Sequence, residues 1–185
     1  MAGGWNRIAR RVRVPAGFAF AVIFLWLARP SWPFLGLSLA LVMPGLALRG
    51  YASGYVKKNA ELTVTGPYAH TRNPLYLGSI SIAFGFALAA HSLWIAAVLI
   101  VLFAAIYIPV IRSEEEYLRS LFPDFDDYAA AVPRLIPRIV AVGGSGNPKG
   151  VFSWALYKKH REYNAFLGTA GMYAALIAKV LLFKK

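Results

Sequence analysis

The sequence predicts an all-α, polytopic transmembrane protein of about five membrane helices. Three observations predict it. Of 185 residues, 58% are hydrophobic and only 15% charged, whereas a soluble domain carries about a quarter charged residues. The apolar residues gather in runs close to the roughly 17–25 residues that a membrane helix needs. The Lys and Arg residues collect at the ends of those runs and not in one dense patch.

The first run covers residues 12–28 and follows Arg7, Arg10, Arg11 and Arg13. This resembles the start of a signal peptide, but Ala28-Arg29-Pro30-Ser31-Trp32-Pro33 is a poor cleavage site, so a retained helix is expected. The second run, 32–50, begins at an interfacial tryptophan and carries Pro44 as a kink. Residues 51–73 are polar and hold the turn signals Gly66-Pro67 and Asn73-Pro74. The third and fourth runs, 75–90 and 93–111, are joined by little more than His91-Ser92, which demands an antiparallel hairpin. Residues 112–164 read as polar and irregular. The last run, 165–183, has Lys179 inside it and is expected to span or to lie at the interface, with Lys179 snorkelling. A membrane core over 1–138 is thus followed by 139–185, made of a Gly-rich linker, a basic interfacial helix around Trp154–Arg161 and the last apolar helix.

Composition removes several classes of chemistry. The chain has no cysteine and three scattered histidines, so thiol catalysis and a metal site are not expected. The net charge of +12 does not indicate nucleic acid, because it is spread over run ends. It fits the positive-inside rule instead. The N-terminal arm, the 51–73 loop and the 112–164 region hold most of the cations, while the opposite turns offer only Arg29 and His91. All three basic regions are therefore expected in the cytoplasm, with a bacterial inner membrane as the host bilayer. Membrane lipids are the expected partners.

This arrangement brings two polar segments together. The 75–111 hairpin has neighbouring ends, so Arg72-Asn73 should lie beside Arg112-Ser113-Glu114-Glu115. Glu114, Glu115 and Glu116 are three of only eight acidic residues. Ser113 with Glu116 reads as a capping box starting a new helix. Glu114 is costly at the membrane boundary unless paired, and its natural partners are Arg112, Arg72 or a ligand ammonium group.

Leu62-Thr63-Val64-Thr65-Gly66-Pro67-Tyr68, continuing to Arg72-Asn73-Pro74-Leu75-Tyr76-Leu77-Gly78, resembles the signature of the isoprenylcysteine carboxyl methyltransferase and phospholipid methyltransferase group. So does Glu114-Glu115 with Leu118, Phe122, Tyr128, Val132-Pro133-Arg134 and Ile136-Pro137. The motifs stand in the family's order and together cover 51–138. The resemblance implies an integral-membrane enzyme with a cytoplasmic-face pocket, built from segments 60–78 and 112–138, that moves a methyl group from S-adenosylmethionine to a lipophilic acceptor. Carried over by position, Leu62, Thr63, Tyr68, Asn73, Pro74, Tyr76, Glu114 and Glu115 are cofactor-binding positions, with Glu114 on the ammonium group. Arg72, Asn73, Tyr76 and Arg112 are the residues implied at the reacting centre. Asn73 stands where the family usually has His; an amide hydrogen-bonds but does not titrate near neutral pH, and His70 is the nearest imidazole.

Tyr51, Tyr55, Phe84, Phe86, Trp94 and Tyr107 are candidates to line an acceptor route from the lipid. The acceptor itself stays open among carboxyl, phenol, thiol and amine groups. Two alternatives stand beside the methyltransferase. One is an NADPH-dependent membrane reductase of the sterol-reductase type, and the other is a non-enzymatic membrane scaffold.

Overall fold

The computed structural model describes residues 21–57, 60–142 and 150–183. Among them every regular element is helical. Residues 21–27 form α1, the described part of the first expected run; residues 12–20 lie outside the description. Then come α2 (Trp32–Ser53), a short 3-10 turn (Gly66–Ala69), α3 (Pro74–Ala90), α4 (Leu93–Leu102), a π-helical turn (Phe103–Tyr107), α5 (Ile108–Leu121), α6 (Phe125–Ala131), α7 (Trp154–His160) and α8 (Tyr163–Leu182).

Among the described residues three helical stretches are long and apolar enough to cross a membrane: Trp32–Ser53, Leu93–Leu121 and Tyr163–Leu182. The 17-residue α3 rises about 26 Å at 1.5 Å per residue, a little short of a bilayer core of about 30 Å. It is packed antiparallel to α2 through small residues. A Cβ on Gly45 would meet the Gly78 carbonyl oxygen at 2.8 Å, and one on Gly78 would meet the Gly45 oxygen at 2.7 Å. Close backbone approach of this kind is how helices associate in lipid, where apolar burial supplies no driving force. Ser81 donates from α3 to the Leu41 carbonyl at 2.6 Å, in the turn before Pro44.

The α3–α4 hairpin forms as the sequence predicts. His91 closes α3 in the left-handed region (φ 47), and Ser92 caps α4 by accepting from the Ile95 amide. The fourth run does not end at 111. It passes through the π-turn and continues to Leu121 as one 29-residue stretch, about 44 Å long by the same rise. Ser113 is therefore an exposed mid-helix residue and not an N-cap, and the expected capping box with Glu116 is absent. Loss of apolar character ends the membrane span, not the helix. Pro109, which cannot donate a backbone hydrogen bond, lies two residues past the π-turn, and such breaks in the helical ladder commonly mark functional sites.

Helix α8 runs antiparallel to α2, joined at mid-height by Ser38 and Tyr173 hydroxyls 2.6 Å apart. Its far end reaches α1. The Lys179 ammonium donates to the Leu25 and Trp26 carbonyls, where a cation complements the end of a helix. That end also holds the buried cluster of Phe24, Ala28, Leu35, Ala90, Ile95, Leu176 and Val180. The polar segments occupy the opposite end of the bundle.

Candidate functional site

The segment after α2 enters the site through Gly66, whose φ of 60 suits glycine. The chain then turns through Gly66–Ala69 and starts α3 at Pro74, where a missing N–H costs nothing. Residues 69–73 are bonded to the extended chain after α6. The Arg72 amide donates to the Pro133 carbonyl at 3.0 Å, Arg138 to His70 at 2.9 Å and Val142 to Ala69 at 3.1 Å. The Thr71 hydroxyl donates to the Arg134 and Leu135 carbonyls. His70 Nδ1 lies 2.8 Å from the Arg138 carbonyl, so His70 serves this seam and does not line the cavity described below.

The two ends of the hairpin do meet. Arg72 Nη2 lies 3.2 Å from Glu115 Oε1, and Arg72 Nη1 donates to the Ala129 carbonyl at 2.7 Å. Arg134 grips the same buried Glu115 with Nε at 3.1 Å and Nη2 at 2.7 Å. Arg72 therefore pairs with Glu115, and the expected Arg72–Glu114 contact does not form. Glu114 instead accepts from the Tyr76 phenol at 2.8 Å. Among the described residues it has no cationic partner.

These residues border a cavity of about 510 Å³, within the range usual for ligand sites of about 300–1,000 Å³. Leu62, Thr63, Tyr68, Asn73, Pro74, Tyr76, Glu114 and Glu115 all line it, as does Arg72. Arg112 does not: it is exposed on α5 and borders none of this space. Asn73 is buried and spends its amide nitrogen on the Arg134 carbonyl at 3.0 Å. Two buried polar atoms on the lining have no partner, Thr63 Oγ1 and Arg72 Nε. Buried donors are rarely left so. Tyr128 donates to the Tyr68 carbonyl at 2.8 Å. Burial pushes the phenols of Tyr68 and Tyr128 well above the usual tyrosine range, so both stay protonated donors.

The sequence reading missed a second group. Arg49, one turn from the end of α2, and Glu162, at the start of α8, form a bidentate pair on the cavity wall. Nε lies 3.1 Å from Oε2 and Nη2 2.9 Å from Oε1. Nη1 also donates to the Leu75 carbonyl at 3.2 Å and to Ser79. The signal was available: a lone arginine inside an apolar run asks for a partner. Tyr107 was named only as a route residue. The π-turn brings it to the cavity, edge-on to Tyr76 with ring centroids 5.6 Å apart. Of the other route candidates, Tyr51 and Tyr55 bond to each other at 2.8 Å and pack with Phe152. Phe86 packs against Phe24 and Tyr173, Phe84 is half-buried and Trp94 is exposed, and none of these lines the cavity.

The fold and cavity define a polytopic helical membrane protein with a polar, ligand-sized site at one end of its bundle. Residues 46–124 match the family model for phospholipid methyltransferase, so the likeness read from the two motifs is borne out, and the match supports a membrane methyltransferase. The chain is also similar to two curated proteins. One is the nickel-cobalt-cadmium resistance protein NccN of Alcaligenes xylosoxydans xylosoxydans, 43% identical over 48% of this chain and 41% of that one. The other is the cobalt-zinc-cadmium resistance protein CzcN of Cupriavidus metallidurans, 41% identical over 57% of this chain and 47% of that one. The matched stretch thus spans less than half the length of either relative. No solved structure matches.

Proposed function

We propose that this protein transfers a methyl group from S-adenosylmethionine to a lipophilic acceptor reached from the bilayer, with the cofactor side in the cytoplasm. The observation that carries the reading is the convergence of two distant segments, 62–76 and 114–115, on one cavity in which Glu114 lacks a cationic partner among the described residues. The donor set fits the cofactor. Glu114 has acceptor capacity for an ammonium group beyond the bond from Tyr76. Thr63 Oγ1 and the Arg72 Nε–H are unpartnered and suit a carboxylate or ribose oxygen. Tyr68, Tyr76 and Tyr107 offer ring faces for adenine or, by cation–π attraction worth about 0.5–2 kcal/mol, for a sulfonium.

When bound, S-adenosylmethionine supplies a methyl carbon activated by a positively charged sulfur. The chain's own contribution is positioning and exclusion of water. Glu115 fixes Arg72 and Arg134, and through them the seam between 69–73 and 129–138. Asn73 holds the Arg134 carbonyl. Tyr76 is hydrogen-bonded to Glu114 and packed edge-on to Tyr107.

The relatives are both named for resistance to cobalt and cadmium. We read methyl transfer by this chain as serving the same physiology through an organic acceptor. In support, the chain has no cysteine, and no group of three or more His, Asp or Glu side chains gathers among the described residues. Titration of the purified protein in nanodiscs with S-adenosylhomocysteine and, separately, NADPH tests the cofactor. Saturable binding of the first and none of the second is expected; the reverse would establish the reductase alternative, and binding of neither the scaffold.

A further inference from the structure

The part of the cavity wall outside the two motif segments is not apolar. Beyond the positions matched to the cofactor it carries Arg49, Ser79, Tyr107 and Glu162. Glu162 lies outside the family match, which ends at residue 124. A charge pair near membrane depth is expensive, and packed apolar side chains would hold three helices together at least as well. Its presence on a cavity wall calls for a ligand.

The hydrogen-bond inventory separates the cavity's carboxylates. Glu61 is exposed and paired with Lys57 at 3.0 Å. Glu115 is enclosed by two arginines. Glu114 faces the cofactor positions. Among the described residues Glu162 receives only Arg49, one donor on each oxygen. A carboxylate has about four acceptor sites, so each Glu162 oxygen keeps one for the cavity. The side chain is itself nearly enclosed, with 12% exposure. A second carboxylate brought beside it would meet like charge in a sheltered place and be disfavoured. A neutral X–H group would instead donate to it.

We propose that Glu162, oriented by Arg49, takes the proton of a neutral protic acceptor, X–H with X oxygen, sulfur or nitrogen, and that the acceptor is not a carboxylate. This rests on the methyltransferase reading. The X–H proton passes to Glu162 Oε while the freed pair on X forms the bond to the donor's methyl carbon. The carbon–sulfur bond breaks, its electrons stay on sulfur as a neutral thioether, and the Glu162 proton leaves to water. Arg49 is a positioning residue; Glu162 touches the acceptor.

The test uses the full-length protein in nanodiscs, S-adenosylmethionine labelled in its methyl group, and total lipid extract of the expression host. The label is expected in lipid in a form stable to alkali, whereas a methyl ester would release volatile methanol. Glu162→Gln should lower turnover about a hundredfold or more, the scale of a lost general base. It should leave S-adenosylhomocysteine affinity within twofold of the parent, and Glu162→Asp should recover part of the rate. Alkali-volatile label, undiminished turnover in Glu162→Gln, or a parallel loss of S-adenosylhomocysteine affinity each overturns the proposal. Binding of S-adenosylhomocysteine by the parent with no label in lipid also overturns it, whereas failure of the parent to bind S-adenosylhomocysteine sinks the methyltransferase reading itself.

Discussion

Glu114 and Glu115 are adjacent on one helix yet do different work, because successive residues on a helix point about 100° apart. Glu115 turns inward and is buried between Arg72 and Arg134. Glu114 is exposed on the cavity side and held by a phenol. Removing Glu115 leaves two guanidinium groups without their counter-charge, one of them well buried. Glu115→Ala should therefore cost about 3 kcal/mol of stability, read as a lower thermal unfolding midpoint in detergent, while Glu114→Gln should leave the midpoint within error. The sequence identified the acidic pair and left Arg112, Arg72 or a ligand ammonium group open as the partner of Glu114; Arg72 pairs with Glu115 instead. Spacing shows that two segments meet, not which side chain faces which. The buried phenols give a pH signature. Their folded pKa values lie above the ordinary value of about 10, through burial of Tyr68 and Tyr128. The folded state then binds these protons more tightly than the unfolded one, so their stabilising contribution is complete below about pH 10 and is lost as pH rises further. Thermal midpoints measured upward from pH 10 should fall, and the slope should flatten in a Tyr68→Phe, Tyr128→Phe double variant.

At the level of elements, the helix pair α2–α3 sets the cavity's floor, since Arg49, Leu75, Tyr76 and Ser79 all project from it. Its glycine contacts leave no room: a Cβ at position 78 would lie 2.7 Å from the Gly45 oxygen and 2.6 Å from Arg49 Cγ. Overpacking of this kind costs about 1–3 kcal/mol. Gly78→Val should lower the unfolding midpoint and loosen ligand binding, because it also displaces Arg49. Gly36→Ala, with nothing within 4 Å of the added carbon, serves as the neutral comparison in the same melt. The helices themselves were legible in hydropathy, and the hairpin in the short His91-Ser92 join. The glycine seam was not, because a single chain's pattern does not say which helix faces which. The extension of α5 to Leu121 was missed for a different reason. Its polar residues still form a helix whose apolar stripe packs on the site, so the polarity marked only the membrane boundary.

Over the whole molecule, the bundle sorts its groups by end. One end closes on an apolar cluster around Leu35, Ala90 and Leu176; the other gathers the arginines, carboxylates and tyrosines of the cavity. The α8 helix joins the two, with Lys179 on the carbonyls at the end of α1 and Glu162 on Arg49. Both motif segments of the site were readable as residues, because turn prolines, a phenol and an acidic pair are uncommon in so apolar a chain. The third contributor, from α8, was not, since it lies far outside the motifs and is brought in only by packing. The account stands on the two distant segments gripping one cationic nucleotide through Glu114. Its most direct test is the affinity of S-adenosylhomocysteine for the parent and for Glu114→Gln, measured side by side by calorimetry. Loss of a hydrogen bond to a charged group, about 1.5–3 kcal/mol, predicts affinity weakened about tenfold to a hundredfold with the fold intact. Equal affinity in the two proteins would contradict it.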